Sequence, residues 1–377
     1  MIRAGPLALG AALLALVCLA ATASADETLV LRGQAAQLSI ATGGGGLIEF
    51  RFNDQQINPI NWEITNDLEE RAPSEPHLRG HFICLDRWGA PSEAELARGI
   101  PFHGEAPRIV WQVSELPKNQ DGKIVAEMGC VMPLAGMKVK RQVRLDEHDA
   151  YLTVTEAITN TRKLGRVFNA VQHPTIAPPF LDESTLVDTN AQHGFVQEEP
   201  IPASAESAGS WPNLTIAGRR VDLRRFTNAA ESVTRSDVTS FVFDRRAEYG
   251  WVTACNPGQQ LLMGYLWKTE DYPWLNIWRH IDKGRVTARG LEFGTTGLHQ
   301  PFGELVRTGT ILDRPLLEYI DAGQTVQKSY AMFMLKTPPD YQGVADASYT
   351  DGRLNFTERR KRNSRTLTLV VGNLLGD

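Results

Sequence analysis

Alternation of apolar and polar residues with a period of two is the feature that most constrains the fold of this chain. In the segment Tyr151–Asn160, for example, Leu152, Val154 and Ile158 fall on one face of an extended strand, while threonines fall on the other. Similar segments follow one another with short turns between them, which is typical of antiparallel pairing. Helical periodicity is nearly absent, so the sequence predicts an all-β protein.

The predicted strands are too many for one flat sheet, and chains of this kind usually divide into two packed sheets. In chain order the strands are expected at 27–32, 37–42, 47–52, 109–115, 123–132, 137–146, 151–160, 166–172, 240–244, 250–255, 260–266, 274–280, 285–293, 309–320 and 325–335. Residues 53–79 are expected to form a loop. The best helix candidate in the first third is Ser92–Ala97, where Ser92 and Glu95 have capping-box spacing.

The N-terminus has the pattern of a secretory signal. Arg3 supplies positive charge, Leu7–Ala20 is an apolar run short for a membrane span, and Ala23-Ser24-Ala25 is a small-residue cleavage site. We therefore expect a mature chain that begins at Asp26 and is periplasmic or secreted. The alternative is an uncleaved anchor.

The expected organisation is a signal peptide over residues 1–25, one β-sandwich domain over 26–344 and a tail over 345–377. The charge run at 358–362 is interpreted as a solvated connector, with an anion-binding patch as the alternative. Residues 367–371 can add one edge strand. Mature Cys84, Cys130 and Cys255 are odd in number, so they are read as buried small hydrophobes with room for one disulfide.

Composition narrows the range of partners. The 377 residues carry a net charge of −5, which does not favour a nucleic-acid partner. No phosphate-binding, dinucleotide-binding or metalloprotease motif is found. We expect no cofactor, no resident metal and no membrane contact after signal cleavage, although His103, His173 and Glu292 have the residue types of a metal-binding set. Oligomeric state is left open.

Three clusters combine polar and aromatic residues with Gly or Pro at predicted strand ends, where a rigid sheet can present side chains to a ligand. The first holds Arg87, Trp88, His103, Arg108 and Trp111; the second holds Asn169 and His173; the third holds Trp274, Trp278 and Glu292.

In this order the clusters resemble the galactose mutarotase-like superfamily, which includes aldose 1-epimerases and hexose-phosphate mutarotases. His103-Gly104 with Arg108 and Trp111 is similar to the first histidine segment of the mutarotases. The segment that ends in His173 is similar to the second, and Leu291-Glu292 resembles the segment that bears the catalytic glutamate. The resemblance covers about residues 30–336 and implies a two-sheet antiparallel super-sandwich.

The resemblance also implies a chemistry, which is the opening and reclosing of a sugar ring by an acid and a base. Glu292 would be the base and His173 the acid, since Glu and His are suited to proton transfer near neutral pH. The expected sugar-binding residues are His103, Arg87, Arg108, Trp88, Asn169, Trp274 and Trp278.

Two other function classes stay open at this point. One is a polysaccharide lyase or hydrolase on a super-sandwich fold, and the other is a non-catalytic exported protein that binds a sugar or glycan. The residues also have structural explanations. His103 and His173 could satisfy buried carbonyls, and Glu292 could face solvent. His280 and His299 have no cluster support and are treated as structural or exposed.

Processing at the N-terminus is directly testable. When the full precursor is expressed in a bacterium with an intact export pathway, we expect the mature protein to begin at Asp26. Ala25→Arg should retain the leader, because the cleavage site requires small residues. N-terminal sequencing of both proteins measures this; a wild-type chain that still begins at Met1 would support the uncleaved anchor.

Overall fold

The computed structural model describes residues 27–65, 68 and 76–375. The predicted signal peptide and its cleavage site lie outside the described residues, as does part of the predicted 53–79 loop. Within the described part, no helix is both long and apolar enough to cross a lipid bilayer.

Strands account for nearly all of the regular structure. The first fifteen are β1 (Thr28–Arg32), β2 (Ala36–Ala41), β3 (Leu47–Phe52), β4 (His81–Leu85), β5 (Gln112–Gln120), β6 (Lys123–Met132), β7 (Met137–Asp146), β8 (Tyr151–Asn160), β9 (Arg166–Phe168), β10 (Ala170–Ile176), β11 (Leu186–Thr189), β12 (Ala191–Val196), β13 (Gly209–Ser210), β14 (Asn213–Ile216) and β15 (Arg219–Asp222). The others are β16 (Arg235–Phe243), β17 (Tyr249–Asn256), β18 (Leu261–Lys268), β19 (Trp274–Asp282), β20 (Arg285–Gly290), β21 (Glu292–Gly294), β22 (Thr310–Ile311), β23 (Arg314–Pro315), β24 (Glu318–Ile320), β25 (Thr325–Lys336), β26 (Val344–Thr350), β27 (Arg353–Glu358) and β28 (Thr366–Val370). The short helices are α1 (Glu93–Leu96) and α2 (Phe302–Thr308), and a 3₁₀ turn spans Ala106–Arg108.

The predicted helix is present, and its capping box is confirmed. Ser92 is the N-cap, its side chain accepts from the Glu95 backbone, and the Glu95 carboxylate accepts from the Ser92 backbone. The helix is short, and none of its residues is buried.

Two antiparallel sheets form the body of the fold. The large sheet has thirteen strands in the order β1-β2-β3-β4-β10-β20-β19-β16-β12-β13-β14-β15, and β21 pairs with β10 and β19. The second sheet has eight strands in the order β11-β17-β18-β25-β8-β7-β6-β5. One apolar cluster contains residues from both sheets and is the core between them. The predicted all-β super-sandwich is therefore confirmed.

Alternation explains how the eight-stranded sheet buries both of its faces along β18. Met263 and Tyr265 point into the core shared with the large sheet. Leu262 and Leu266 point the other way, into a second apolar cluster. A strand buried on both faces reads as a continuous apolar run, as β18 does.

The second apolar cluster brings the C-terminal region onto the sandwich. β26, β27 and β28 form a three-stranded sheet. Leu354 and Phe356 of this sheet pack with Phe333 and Trp251 of the eight-stranded sheet. The predicted strand at 367–371 corresponds to β28, at the edge of this sheet. The rest of the described tail, 345–375, expected to be a connector, instead covers part of the outer face of the eight-stranded sheet.

The charge run is only partly solvated. Glu358 is buried, and its carboxylate accepts hydrogen bonds from Arg365 at 2.7 and 2.8 Å. Arg359 donates to buried Asp188 at 3.1 Å, and Arg224 donates to the same carboxylate at 2.6 Å. The Arg359–Asp188 pair attaches the C-terminal sheet to the sandwich, and a single sequence window could not reveal partners 171 residues apart.

The three cysteines of the described part are free and buried. Their interpretation as small hydrophobes is therefore confirmed, and the disulfide for which the sequence left room is not formed. Burial raises the pKa of the Cys130 and Cys255 thiols, so neither is poised as a thiolate.

A buried carboxylate, that of Glu156, joins the two sheets. Arg141 Nε donates to Glu156 Oε1 at 2.7 Å, and both side chains are almost fully enclosed. Gln172 Nε2, on the large sheet, donates to Glu156 Oε2 at 2.7 Å. The Arg141 guanidinium also lies over the Trp111 ring, 4.2 Å from its centroid. Glu156 thus has a partner from each sheet, which sets their relative position.

Removing one member of this pair should be costly. Arg141→Met leaves the Glu156 carboxylate buried without its cation, so we expect the free energy of unfolding to fall by about 3–5 kcal/mol. Arg245→Met breaks an exposed pair with Asp313 and should change it by no more than about 1 kcal/mol. Urea unfolding followed by tryptophan fluorescence measures both; equal effects would contradict the structural role of the buried pair.

Candidate functional site

A cavity of about 260 Å³ opens on the face of the large sheet that points away from the eight-stranded sheet. Alternation along β21 places it there: Leu291 and Phe293 point into the shared core, so Glu292 points to the opposite face. The lining consists of Trp62, Ile64, Leu68, Leu78, Trp88, Phe102, His103, His173, Glu198, Ser236, Asp237, Val238, Trp278, Glu292 and His299.

The backbone around Glu292 is shaped to bring its carboxylate into this cavity. β20 and β21 are consecutive strands that both pair with β10 and β19, and Leu291 separates them. The Leu291 N–H donates to the carbonyl of Pro174. Gly290 leaves room for the carboxylate, since a Cβ there would lie 2.6 Å from Glu292 Oε1. Glu292 is 1% exposed, which rules out the solvent-facing alternative.

Glu292 and His173 are in direct contact. Glu292 Oε1 lies 3.3 Å from His173 Nε2, and Trp88 Nε1 donates to Glu292 Oε2 at 2.7 Å. On the other side of the imidazole, Thr175 Oγ1 lies 3.2 Å from Nδ1. Phe82 stacks on the ring at a centroid distance of 4.5 Å. The carboxyl and the imidazole are therefore both held in place by their neighbours.

Burial acts on both members of the pair in favour of the uncharged form. It raises the pKa of Glu292 to about 8, although the Trp88 hydrogen bond opposes this. It lowers the pKa of His173 to about 3. Between these values the two groups share one titratable proton, and the pair is uncharged. Burial thus favours the proton on Glu292, whereas the resemblance predicts a Glu292 base and a His173 acid.

His103 approaches the pair from a strained turn. Its φ is +63°, a conformation that side chains other than Gly seldom adopt. The His103 N–H donates to the carbonyl of Gly89, and the Gly89 N–H donates to His103 Nδ1 at 3.2 Å. With Nδ1 accepting, the neutral ring carries its proton on Nε2. The His103 and His173 rings lie edge to face, 5.0 Å apart.

Aromatic and aliphatic side chains make up much of the remaining wall. Trp62 meets Trp278 edge to face at 5.5 Å and lies parallel to His173 at 6.4 Å. Asp237 is paired with Arg279, which donates to both of its carboxylate oxygens at 2.8 and 2.9 Å. The cavity therefore combines ionisable groups with large apolar surfaces.

The structure brings together five of the nine sequence-predicted site residues: Glu292, His173, His103, Trp88 and Trp278. Their roles stay predictions. The other four, Arg87, Arg108, Asn169 and Trp274, lie outside the lining.

These four side chains lie elsewhere in the fold. Arg87 donates to the carbonyls of Ala90 and Gln300 and so ties two loops together. Trp274 is buried in an apolar cluster at one end of β19. Asn169 is fully buried between β9 and β10, and Arg108 ends the 3₁₀ turn. A strand-end position alone could not separate these residues from the cavity residues.

Sequence reasoning missed Trp62, Phe102, Glu198, Asp237 and His299. Trp62 lies in a segment expected to be a loop, and Asp237 lies on a strand that begins five residues earlier than predicted. His299 follows the third cluster closely, and that proximity was the one available signal. Among the described residues, no group of three or more His, Cys, Asp or Glu has an arrangement that could hold a metal ion.

Comparison with known proteins bears on the fold. No protein-family model matches the chain, and no curated protein matches its sequence. Among solved structures, it is similar to a candidate aldose 1-epimerase from Klebsiella pneumoniae, with a TM-score of 0.57, 13% identity and coverage of 80% of this chain and 77% of that one.

Two further solved structures have similar shapes. For a galactose mutarotase related enzyme from Lactobacillus acidophilus, the TM-score is 0.57 at 11% identity, covering 83% of this chain and 98% of that one. For a galactose mutarotase-like protein from Clostridium acetobutylicum, it is 0.56 at 12% identity, covering 82% and 95%. At such low identity the likeness concerns the fold, and the chain has the galactose mutarotase-like fold.

Proposed function

We propose that this protein is an exported sugar epimerase of the aldose 1-epimerase type, which interconverts the anomers of a sugar in the cavity around Glu292 and His173. The observation that carries the proposal is the 3.3 Å contact between the carboxyl and the imidazole. Fold alone does not establish activity, so the argument rests on this pair.

The reaction needs two groups close together. Ring opening removes the proton from the anomeric hydroxyl, breaks the bond between C1 and the ring oxygen, and adds a proton to that oxygen. Both oxygens are bonded to the same carbon, so the acid and the base must lie side by side. Rotation about the C1–C2 bond and the reverse proton transfers then close the other anomer.

The proton count of the pair suits this chemistry. A pair that holds one proton contains one acid and one base, and neither transfer requires a proton from solvent. Because ring closure reverses ring opening, each group both gives and takes a proton during one turnover. The Trp88 N–H favours negative charge on Glu292, which matters when the proton has moved to His173.

The walls favour an uncharged sugar. Aromatic faces such as those of Trp62 and Trp278 can cover the C–H surface of a pyranose. The carboxyl group of Glu198 also lines the cavity and would oppose an anionic substrate, whereas Arg279 balances the charge of Asp237. We therefore propose a neutral monosaccharide, or a neutral end unit of a glycan, as the ligand.

Two alternatives have distinct signatures. A polysaccharide lyase would release an unsaturated product that absorbs ultraviolet light, and a hydrolase would release reducing ends. A binding protein would retain affinity for the sugar without accelerating any conversion. The paired acid and base favour the epimerase over a binding protein, because binding alone does not require a shared proton.

Replacing the carboxyl group tests the proposal. Glu292→Gln keeps the size and the Trp88 acceptor but cannot exchange a proton, so the acceleration of anomer interconversion should fall by about 100- to 10,000-fold. Polarimetry of freshly dissolved α-glucose, α-galactose and other neutral aldoses measures the rate over buffer.

Glu127→Gln is the matched control, since Glu127 lies on β6 outside the cavity. It should retain the wild-type rate, and thermal unfolding should show that both variants are folded. The proposal fails if wild type accelerates none of the sugars, or if folded Glu292→Gln is as fast as wild type.

The pH dependence of kcat/KM should follow the pKa values of the Glu292–His173 pair rather than that of an ordinary histidine. The singly protonated pair exists between the lowered pKa of His173, about 3, and the raised pKa of Glu292, about 8. We expect kcat/KM to be level from pH 5 to 7 and to fall about tenfold per pH unit above about pH 8. Rates at each pH, corrected for spontaneous mutarotation, test this. A rise or fall of kcat/KM centred near pH 6.5 would instead indicate the titration of an ordinary free imidazole.

A further inference from the structure

His299 lines the cavity but takes no part in the contacts that hold the Glu292–His173 pair. Its ring lies edge to face with Trp88, at a centroid distance of 4.6 Å, and 6.3 Å from the ring of His103. Trp88 thus touches His299 with its ring while its Nε1 donates to Glu292. His299 is therefore a near neighbour of the reacting groups.

The main chain of His299 is held firmly. Its N–H donates to Gln197 Oε1 at 2.9 Å, and Gln197 Nε2 donates to the carbonyl of Gly297 at 2.7 Å and to Ser240 Oγ at 2.6 Å. These bonds join the 295–300 segment to β16. The position of the imidazole is thus set by the protein before any ligand binds.

The surface beneath the ring is shaped to receive it. Gly89 has a φ of +84°, and a Cβ at that position would lie 2.1 Å from His299 Nε2. A side chain at residue 89 would therefore displace the imidazole. The same glycine donates to His103, so one turn places two of the three cavity imidazoles.

The imidazole ring of His299 has nitrogens that are available for hydrogen bonding. Within the described residues, neither imidazole nitrogen of His299 has a hydrogen-bond partner, although the ring lines the cavity. Burial, together with the nearby Arg87 charge, lowers its pKa to about 4, so near neutral pH it offers one N–H donor and one acceptor. A sugar hydroxyl, which both donates and accepts, matches this pair of functions.

We propose that His299 is a specificity-determining residue, whose imidazole hydrogen-bonds the sugar hydroxyl nearest to the reacting hemiacetal on one of its two sides, the C2 hydroxyl or, beyond the ring oxygen, the C6 hydroxyl. The inference rests on the proposed function and adds to it the part of the sugar that the protein recognises. C2 and C6 are selected because Trp88 places His299 beside the Glu292 end of the cavity. The more distant C3 and C4 hydroxyls fall outside this contact.

The contact is tested by removing the hydrogen-bonding group from each partner in turn, the imidazole from the protein and one hydroxyl from the sugar. His299→Phe removes the hydrogen bond, and kcat/KM is measured for glucose and its 2-deoxy, 3-deoxy, 4-deoxy and 6-deoxy forms. We expect a loss of about 5- to 10-fold for every sugar that retains the contacted hydroxyl and no loss for the 2-deoxy or the 6-deoxy form that lacks it. His299→Asn or His299→Gln, which places an amide near one ring nitrogen, should restore part of the loss.

The matched control is His193→Phe, since His193 lies on β12 outside the cavity lining. It should not change the ranking of the five sugars. An equal loss on all five sugars with His299→Phe would overturn the proposal and leave His299 a packing role. A loss that disappears only with the 3-deoxy or 4-deoxy sugar would also overturn it. If wild type accelerates none of the sugars, the proposed function itself has failed.

Discussion

The Glu156 carboxylate in the core is the contact on which the geometry of the cavity depends. Arg141 reaches it from the same sheet and Gln172 from the other, so two layers whose shared core is mainly apolar are joined here by directional bonds. Gln172 immediately precedes His173. Successive residues of a strand point to opposite faces, so an anchor for Gln172 on the inner face also positions His173 on the outer face.

The cavity is accordingly built on sheet residues, with loops contributing the remaining side. β10 supplies His173 and β21 supplies Glu292, while the turns at Gly89 and His103 close over them. This division has a physical logic. Strands keep the distance between Glu292 and His173 nearly constant, and glycine-containing turns allow imidazoles to approach where regular strands would not permit it.

Much of the sandwich was predictable because most strands of its hairpins show the same alternation of buried and exposed residues. β6, β7 and β8 begin and end where alternation places them, since each has one buried and one half-exposed face. β4 was missed because both of its faces are buried, so it has no alternation to detect. Glu292, His173 and His103 were found by resemblance, whereas His299 lacks a motif and reaches the cavity only through tertiary contacts.

The C-terminal sheet changes what counts as one structural unit. Leu354 and Phe356 cover Trp251 and Phe333, which would otherwise form part of an exposed apolar patch on the outer face of the eight-stranded sheet. A chain shortened at residue 344 would therefore keep the Glu292–His173 pair yet expose this apolar surface, which favours association between copies. Solubility of the sandwich is in this sense encoded by residues that lie far from its cavity.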